Sequence, residues 1–401
     1  MNTTLRISSA DTPSDLARLR AFVAAGGAAD LSALERHLAR PRYRPAFTRL
    51  AERAGRFVGY ALIGHERLRL GAATLEAGRI AALELPPTEH DSRVFAALLG
   101  DCLRVLVEEQ LPLALVCGPT ETYAPFGFAP YTLLSDVQLA PMSDTTAKTA
   151  LRHATEDDLD DLAALYDATY QSLPLTATRS APDWRFWLGS DRLLLVAEDK
   201  RGRVAAYAAI DPGPAGLTVT EAAAADAGAA RVLCHSLQGY AQGRDLRLAL
   251  SPWHSVAQAA LHLDGTVLLA AHVASNDRGG HDQSAGVVDL PLLLEALVPE
   301  FERRLARSRY AGWSGNLRIE IETERITLAF AEGRATVIDG SRPADLRLRQ
   351  VALTALAQLC LGYRVAADLR ATGGLACDDS ALGLLDALFP ALLAVGTSAS
   401  D

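Results

Sequence analysis

The sequence predicts a mixed α/β or α+β protein, and three observations carry that prediction. The chain has 401 residues, enough for two or three domains of ordinary size. It is 49% hydrophobic but only 6% aromatic, so its cores are large and aliphatic, and disorder is excluded. The third observation is order. Two successive stretches alternate strand-like and helix-like runs, and a last stretch sets strands before helices, the arrangement of an α+β unit.

The first stretch opens with a helix over Ser14–Ala25, with Leu16, Leu19, Phe22 and Val23 at helical spacing and Ser9, Asp11, Thr12 and Pro13 as start signals. A short helix over Asp30–Leu38 follows a Gly-Gly break. Three strands are expected next, Ala46–Glu52, Arg56–Leu70 and Leu75–Leu85, turned at Ala54–Gly55 and at Gly71. The run Arg79–Gly100 then reads as a strand, a loop and a helix from about Ser92, the outline in which α/β proteins seat phosphate groups on a helix N-terminus. Leu113–Cys117 is a short buried strand, and Tyr131–Leu139 is expected to close the unit.

The second stretch restarts the same grammar after APMSDTTAKTA. A capped helix with an acidic first turn spans RHATEDDLDDLAALYDATYQSLP, with negative charge where the helix dipole favours it. Strands at Leu193–Glu198, Val204–Ile210, Leu217–Glu221 and Leu246–Leu250 surround a helix over Ala225–Gln242. The similar order of the two stretches suggests a diverged duplication. The third stretch begins with a helix over Asp289–Ser308 in which Pro299 predicts a kink or break. The strands NLRIEIE, RITLAFAEG and RATVIDG follow as a meander with one apolar face, then helices over Arg349–Leu361, Val365–Thr372 and Ser380–Leu393.

A net charge of -9 gives no general attraction to nucleic acid or to anionic lipid, so neither is an expected partner. Five scattered cysteines form no zinc or disulfide pattern and read as small core residues in a reducing compartment. The N-terminal run has no apolar leader region, and no window is apolar for long enough to span a membrane. The expected setting is the cytoplasm.

Three segments then carry a family resemblance. They are ERAGRFVGYALIGHERLRLGAATLEAGRIAALELPP, then CGPTETYAPFGFAP with its tyrosine-x-x-phenylalanine-glycine-aromatic pattern at Tyr123, Phe126, Gly127 and Phe128, and finally LTALAQLCLGYRVAADLRATGGL with LGLLDALFP. In this order they resemble the GNAT superfamily of N-acetyltransferases, and within it the enhanced-intracellular-survival (Eis) type. The resemblance implies an α+β chain of two tandem GNAT-like domains with central mixed sheets, at 1–145 and 146–285, followed by a sterol-carrier-protein-like domain at 286–401. It implies acetyl-CoA as cofactor, acetyl transfer to a small-molecule or peptide amine by direct attack, and a homo-oligomer such as a hexamer.

Carried over residue by residue, the resemblance makes Tyr123 the general acid that protonates the departing thiolate. The terminal carboxylate of Asp401 would accept the proton of the amine, and Glu84 is an alternative base through water. Leu83 and Leu85 would hold the pantetheine arm, and Ser92 and Arg93 the pyrophosphate. Bland readings stand beside these: Tyr123 as an amphipathic prop for its turn, Glu84 as a solvated strand residue and Asp401 as a frayed end.

The loop that would wrap the pyrophosphate departs from the pattern. It lacks glycine, and Glu89 and Asp91 set negative charge beside a dianionic group. One such contact at about 4 Å opposes binding by roughly 4 kcal/mol before screening at an effective dielectric of about 20. Two functions therefore compete, an acetyl-CoA-dependent N-acetyltransferase and a GNAT-fold scaffold without a cofactor site. Outside that loop, Arg36, Arg40, Arg42, Arg44 and Arg49 with Tyr43 form either an anion clamp or a solvated rim. His272, Asp277, His281 and Asp282 read as a polar loop rather than a metal site. Trp184, Phe186 and Trp187 read as core or interdomain packing rather than a substrate wall.

Overall fold

The computed structural model describes residues 4–25, 28–86, 92–132, 134–139, 151–189, 193–213, 216–263, 265–270, 283–322 and 324–392. Its fold is mixed α+β, with three sheets that each combine parallel and antiparallel pairs. Contacts divide the chain into two compact units, Met1–Tyr131 with Gln283–Leu392, and Thr132–Asp282.

The first unit begins with β1 (Leu5–Ser9), α1 (Pro13–Ala24) and α2 (Ala28–Leu38). Thr12 and Asp15 cap α1 reciprocally, the capping box that fixes where it starts. The strands β2 (Thr48–Arg53), β3 (Arg56–Leu70) and β4 (Ala73–Glu84) form an antiparallel meander. Its turns lie where the glycines predict them: Ala54 and Gly55 have φ of 53° and 74°, and Gly71 has φ of 60°. After β4 come α3 (Ser92–Glu108), β5 (Leu113–Cys117), the single turn α4 (Thr120–Tyr123) and β6 (Ala129–Pro130). The helical spacing of Val94, Leu98, Cys102, Val105 and Leu106 buries one face of α3 on the sheet.

The second unit contains β7 (Leu134–Leu139), β8 (Arg152–His153), α5 (Leu159–Tyr170), β9 (Thr176–Ala177), α6 (Ala181–Leu188), β10 (Leu193–Glu198), β11 (Val204–Pro212), β12 (Gly216–Ala224), α7 (Ala227–Ala241), β13 (Asp245–Leu248), α8 (Ser255–Leu261) and β14 (Thr266–Ala270). Its sheet runs β14-β7-β13-β12-β11-β10-β8. The chain then returns to the first unit as β15 (Gln283–Val287), α9 (Leu290–Ala306), β16 (Gly315–Glu320), β17 (Arg325–Ala331), β18 (Arg334–Asp339), β19 (Leu346–Arg349), α10 (Leu353–Cys360), α11 (Ala366–Ala371), β20 (Ala376–Cys377) and α12 (Asp379–Leu388). The strands β16 to β18 form the expected meander, extended by β19 parallel to β16 and by β20.

Two expectations are corrected here. The run ending at Leu139 does not close the first unit: β7 pairs with β13 and β14 in the second sheet. The edge of β5 that it was to cover is taken instead by β15, which pairs along the whole strand from Gln283↔Cys117 to Val287↔Leu113. Nor does α9 break at Pro299; it is one helix of 17 residues. An interior proline costs about 3 kcal/mol. Burial of Leu293, Leu294, Leu297, Phe301 and Leu305 outweighs that cost, at roughly 1.5–3 kcal/mol for each large side chain.

A buried charge cluster ties α9 to the β3–β4 turn within the first unit. Glu300, 1% exposed, accepts a hydrogen bond from the Ala72 N–H at 2.8 Å and pairs with Arg303 at 2.5 Å and Arg304 at 2.6 Å. Arg304 also donates to the Leu388 carbonyl at 2.6 Å, which brings in α12. Burial pushes the Glu300 carboxyl up, but the two arginines and the Ala72 N–H outweigh it and hold its pKa below 4.5. A depressed carboxylate pKa contributes stability that is present above the unfolded value and lost as pH falls through the folded one. Glu300→Ala leaves Arg304 buried without its partner, and we expect a loss of about 3–5 kcal/mol in chemical denaturation at neutral pH. That loss should shrink below about pH 4.5, where the wild-type carboxylate also takes up a proton; a pH-independent difference would sink the ionic account.

Candidate active site

The first sheet opens where the parallel pairing of β4 with β5 stops. The strands β4 and β5 pair in parallel from Ala77↔Leu113 to Ile80↔Val116, and β4 then runs on through Ala81–Glu84. The β3–β4 register explains how: Leu62 faces Ala82 and Ile63 faces Ile80, so Ala81 is an extra, bulged residue that turns the strand tip. The backbone of Ala81–Glu84 thus continues past its parallel partner. Such an edge can hydrogen-bond an extended ligand as an added strand would. The second unit repeats the device: β12 and β13 pair from Gly216↔Asp245 to Val219↔Leu248, with Thr220 as the bulged residue. Matching bulges and parallel pairs support the reading of a duplication.

At the mouth of the first opening stands Tyr123, the last residue of α4. The segment folds as the motif requires: a 3₁₀ turn spans Ala124–Phe126, and Gly127 ends it at φ 87°, a left-handed position suited to glycine. Tyr123 packs against Phe95 of α3 and Phe128, with ring centroids 5.8 and 5.9 Å away. Its ring also lies along the Gly118 backbone, where an added Cβ would stand 2.9 Å from Cε2. Burial first, and then the charge of Glu84, raise the phenol pKa above 10. Tyr123 therefore stays protonated at neutral pH.

Of the residues singled out from sequence, two lie beside Tyr123 and two head the next helix. Leu83 and Leu85, partly buried at the end of β4, pack on the same core as Tyr123 and Phe95. Ser92 and Arg93 are exposed in the first turn of α3. Residues 87–91, with Glu89 and Asp91, lie outside the described residues, as do Asp401 and the loop of His272, Asp277, His281 and Asp282. Among the described residues, no group of three His, Cys, Asp or Glu side chains could hold a metal ion.

Two contributors were missed from sequence. Gly59 leaves room for the tip of β4: a Cβ there would meet Leu85 Cδ2 at 2.5 Å and the Glu84 carbonyl oxygen at 2.9 Å. Cys117, read as a core residue, is exposed at the end of β5, while the other four cysteines are buried; none of the five forms a disulfide. The alternation of LALVC does not mark it, because the four residues before it are buried on both faces of the sheet.

Two arginines of the basic loop have acidic partners. Arg49 pairs with Asp101 at 2.5 Å and Arg44 pairs with Glu109, so both are already neutralised by the α3 side. Among the described residues no helix is long and apolar enough to cross a membrane.

The fold has counterparts among known proteins. Residues 316–394 match the sterol carrier protein domain. An N-acetyltransferase related to GCN5 from Kribbella flavida superposes with a TM-score of 0.68 at 18% identity, covering 97% of this chain and 96% of that one. One from Anabaena variabilis gives 0.71 at 14%, covering 96% and 97%. Eis1 from Mycobacterium abscessus gives 0.59 at 16%, also covering 96% and 97%. The chain has an Eis-like architecture. No match is found among curated proteins. The chain shares the fold of these solved structures, and the bulged strand, its parallel partner and the tyrosine turn are elements of that fold.

The Tyr123–Glu84 coupling is measurable. Spectrophotometric titration, read as wild type minus Tyr123→Phe, should show a phenol that titrates above 10, and Glu84→Gln should lower that value. No change in Glu84→Gln would mean that the carboxylate does not act on the phenol.

Proposed function

We propose that this protein is an acetyl-CoA-dependent N-acetyltransferase that acts on an amine. The observation that carries the reading is the strand opening beyond Ile80↔Val116 with Tyr123 standing at its mouth. The edge Ala81–Glu84 suits the amide groups of a pantetheine arm, with Leu83 and Leu85 beside it. Ser92 and Arg93 head α3 at the strand's end, where backbone N–H groups and one positive charge favour a phosphate.

When bound, acetyl-CoA supplies an acyl group activated as a thioester. Tyr123 would hold the proton that the departing sulfur takes up, and the site would present the acyl carbon to the amine nitrogen. The burial that keeps the phenol protonated also makes a neighbouring thiolate more basic, so donor and acceptor shift together. The attacking amine loses a proton to Glu84 through water or to the Asp401 carboxylate. Amines of small molecules or peptides are the expected acceptors, and we include homo-oligomerisation and a cytoplasmic setting in the reading.

The competing reading, a scaffold without cofactor, is favoured by the glycine-free, acidic sequence of residues 87–91. Calorimetric titration with acetyl-CoA and with CoA separates the two. Saturable binding of both is expected; no heat and no thermal shift at millimolar ligand would remove the enzymatic reading. Given binding, Tyr123→Phe should lower kcat by about 100-fold or more with little change in acetyl-CoA affinity. An unchanged rate would take Tyr123 out of the reaction.

A further inference from the structure

We propose that, whatever chemistry the first unit performs, the second unit carries a guanidinium receptor on one face of its sheet and fills it with the chain's own Arg179. Arg179 lies between β9 and α6. Its guanidinium carbon stands 4.6, 4.8 and 4.4 Å from the ring centroids of Tyr166, Trp184 and Trp187. Its two terminal nitrogens donate to the two carboxylate oxygens of Glu221 at 2.8 and 2.6 Å. Three aromatic faces closed by a bidentate carboxylate make up a recognition site for a planar cation.

The cage is held by groups other than its occupant. Tyr166 stacks on Tyr170 at 4.6 Å, and its hydroxyl donates to the Ala177 carbonyl at 2.6 Å. Trp184 meets Tyr166 and Trp187 edge-on at 5.5 and 5.3 Å, and both indoles meet Tyr207 edge-on. Tyr207, fully buried in β11, donates to Glu221 Oε1 at 2.8 Å and so fixes the carboxylate. Preorganisation of this kind lets a site outlive the loss of one ligand. Burial alone would disfavour the charge on Arg179, and the Glu221 carboxylate more than offsets it, so the guanidinium is held firmly charged.

The fold itself does not require this charge pair. Aligning the two units on their bulges places Tyr60, Leu62 and Ala82 of the first where Tyr207, Ala209 and Glu221 stand in the second. The first unit builds its core there from apolar groups, with Tyr60 edge-on to Phe22 at 6.2 Å. Desolvating two charges gains nothing over such packing in general. The arginine and carboxylate are therefore a specific addition to the second unit, with the chemistry of a ligand in its pocket.

The test vacates the cage in the full chain. Arg179→Ala should lower Tm by more than about 4 °C. Millimolar guanidinium or methylguanidinium chloride should restore part of that loss saturably and change the tryptophan fluorescence. Wild type and the double variant Arg179→Ala with Glu221→Gln should respond no more than to equal sodium chloride. No recovery in Arg179→Ala, or the same response in all three proteins, overturns the proposal. Should Arg179→Ala not fold, Arg179→Lys and Arg179→Met decide. A cation site keeps the Lys variant several degrees more stable than the Met variant, and Met equal to or above Lys overturns it.

Discussion

The architecture of both units depends on parallel pairing that stops early. In each, a central strand shares only four register pairs with its parallel neighbour and then runs on past it, still paired with its antiparallel neighbour and turned by one bulged residue, Ala81 or Thr220. A strand with an unmatched backbone edge is a liability in a folded protein unless something occupies it. In the first unit the surroundings suit an extended ligand: two alanines at the start of the edge, a tyrosine at the mouth and a helix that begins after it. In the second, the neighbouring sheet face is closed by side chains of the unit itself. One backbone device thus supports two outcomes, and the side chains decide between them.

The charges are deployed in the same spirit. Glu300 and Glu221 are both nearly inaccessible carboxylates, each held by arginine, yet they sit in different surroundings. Glu300 accepts from a backbone N–H of a turn and from two arginines of its own helix, so it acts across elements as a structural tie. Glu221 shares a single arginine that is sandwiched among aromatic rings. The first is a joint between elements, and the second has the composition of a binding site.

Local features were legible in the sequence because their causes are local. The bounds of β3 follow from its flanking turns, α1 starts at its capping box, and the turn of Tyr123 follows from Gly127, since few other residues accept its backbone angle. The family resemblance to an Eis-like chain rested on such segments, and the fold agrees with it. Choices between distant partners were not legible. Runs of five or six residues such as QSAGV and LSDVQL carry too little pattern to specify a partner strand, so the exchange of β7 and β15 could not be read from alternation. Around Tyr123, the place of Leu83 and Leu85 at the end of β4 followed from position along the chain, whereas Gly59 and Cys117 matter only through neighbours that folding brings to them. The contacts of Arg179 likewise come from helices and strands far apart in sequence.

The pairing of β5 with β15 also bears on how the molecule comes into being. During synthesis β1 to β5 emerge early, but the strand that covers the outer edge of β5 belongs to a segment made only after the whole second unit. Until then the growing chain carries a short, very apolar strand, LALVC, with one side open. Non-local closure of this kind is slow and leaves a window for intermolecular association. In chain order the second unit is one contiguous segment, while the strands of the first sheet are complete only once β15 has been made.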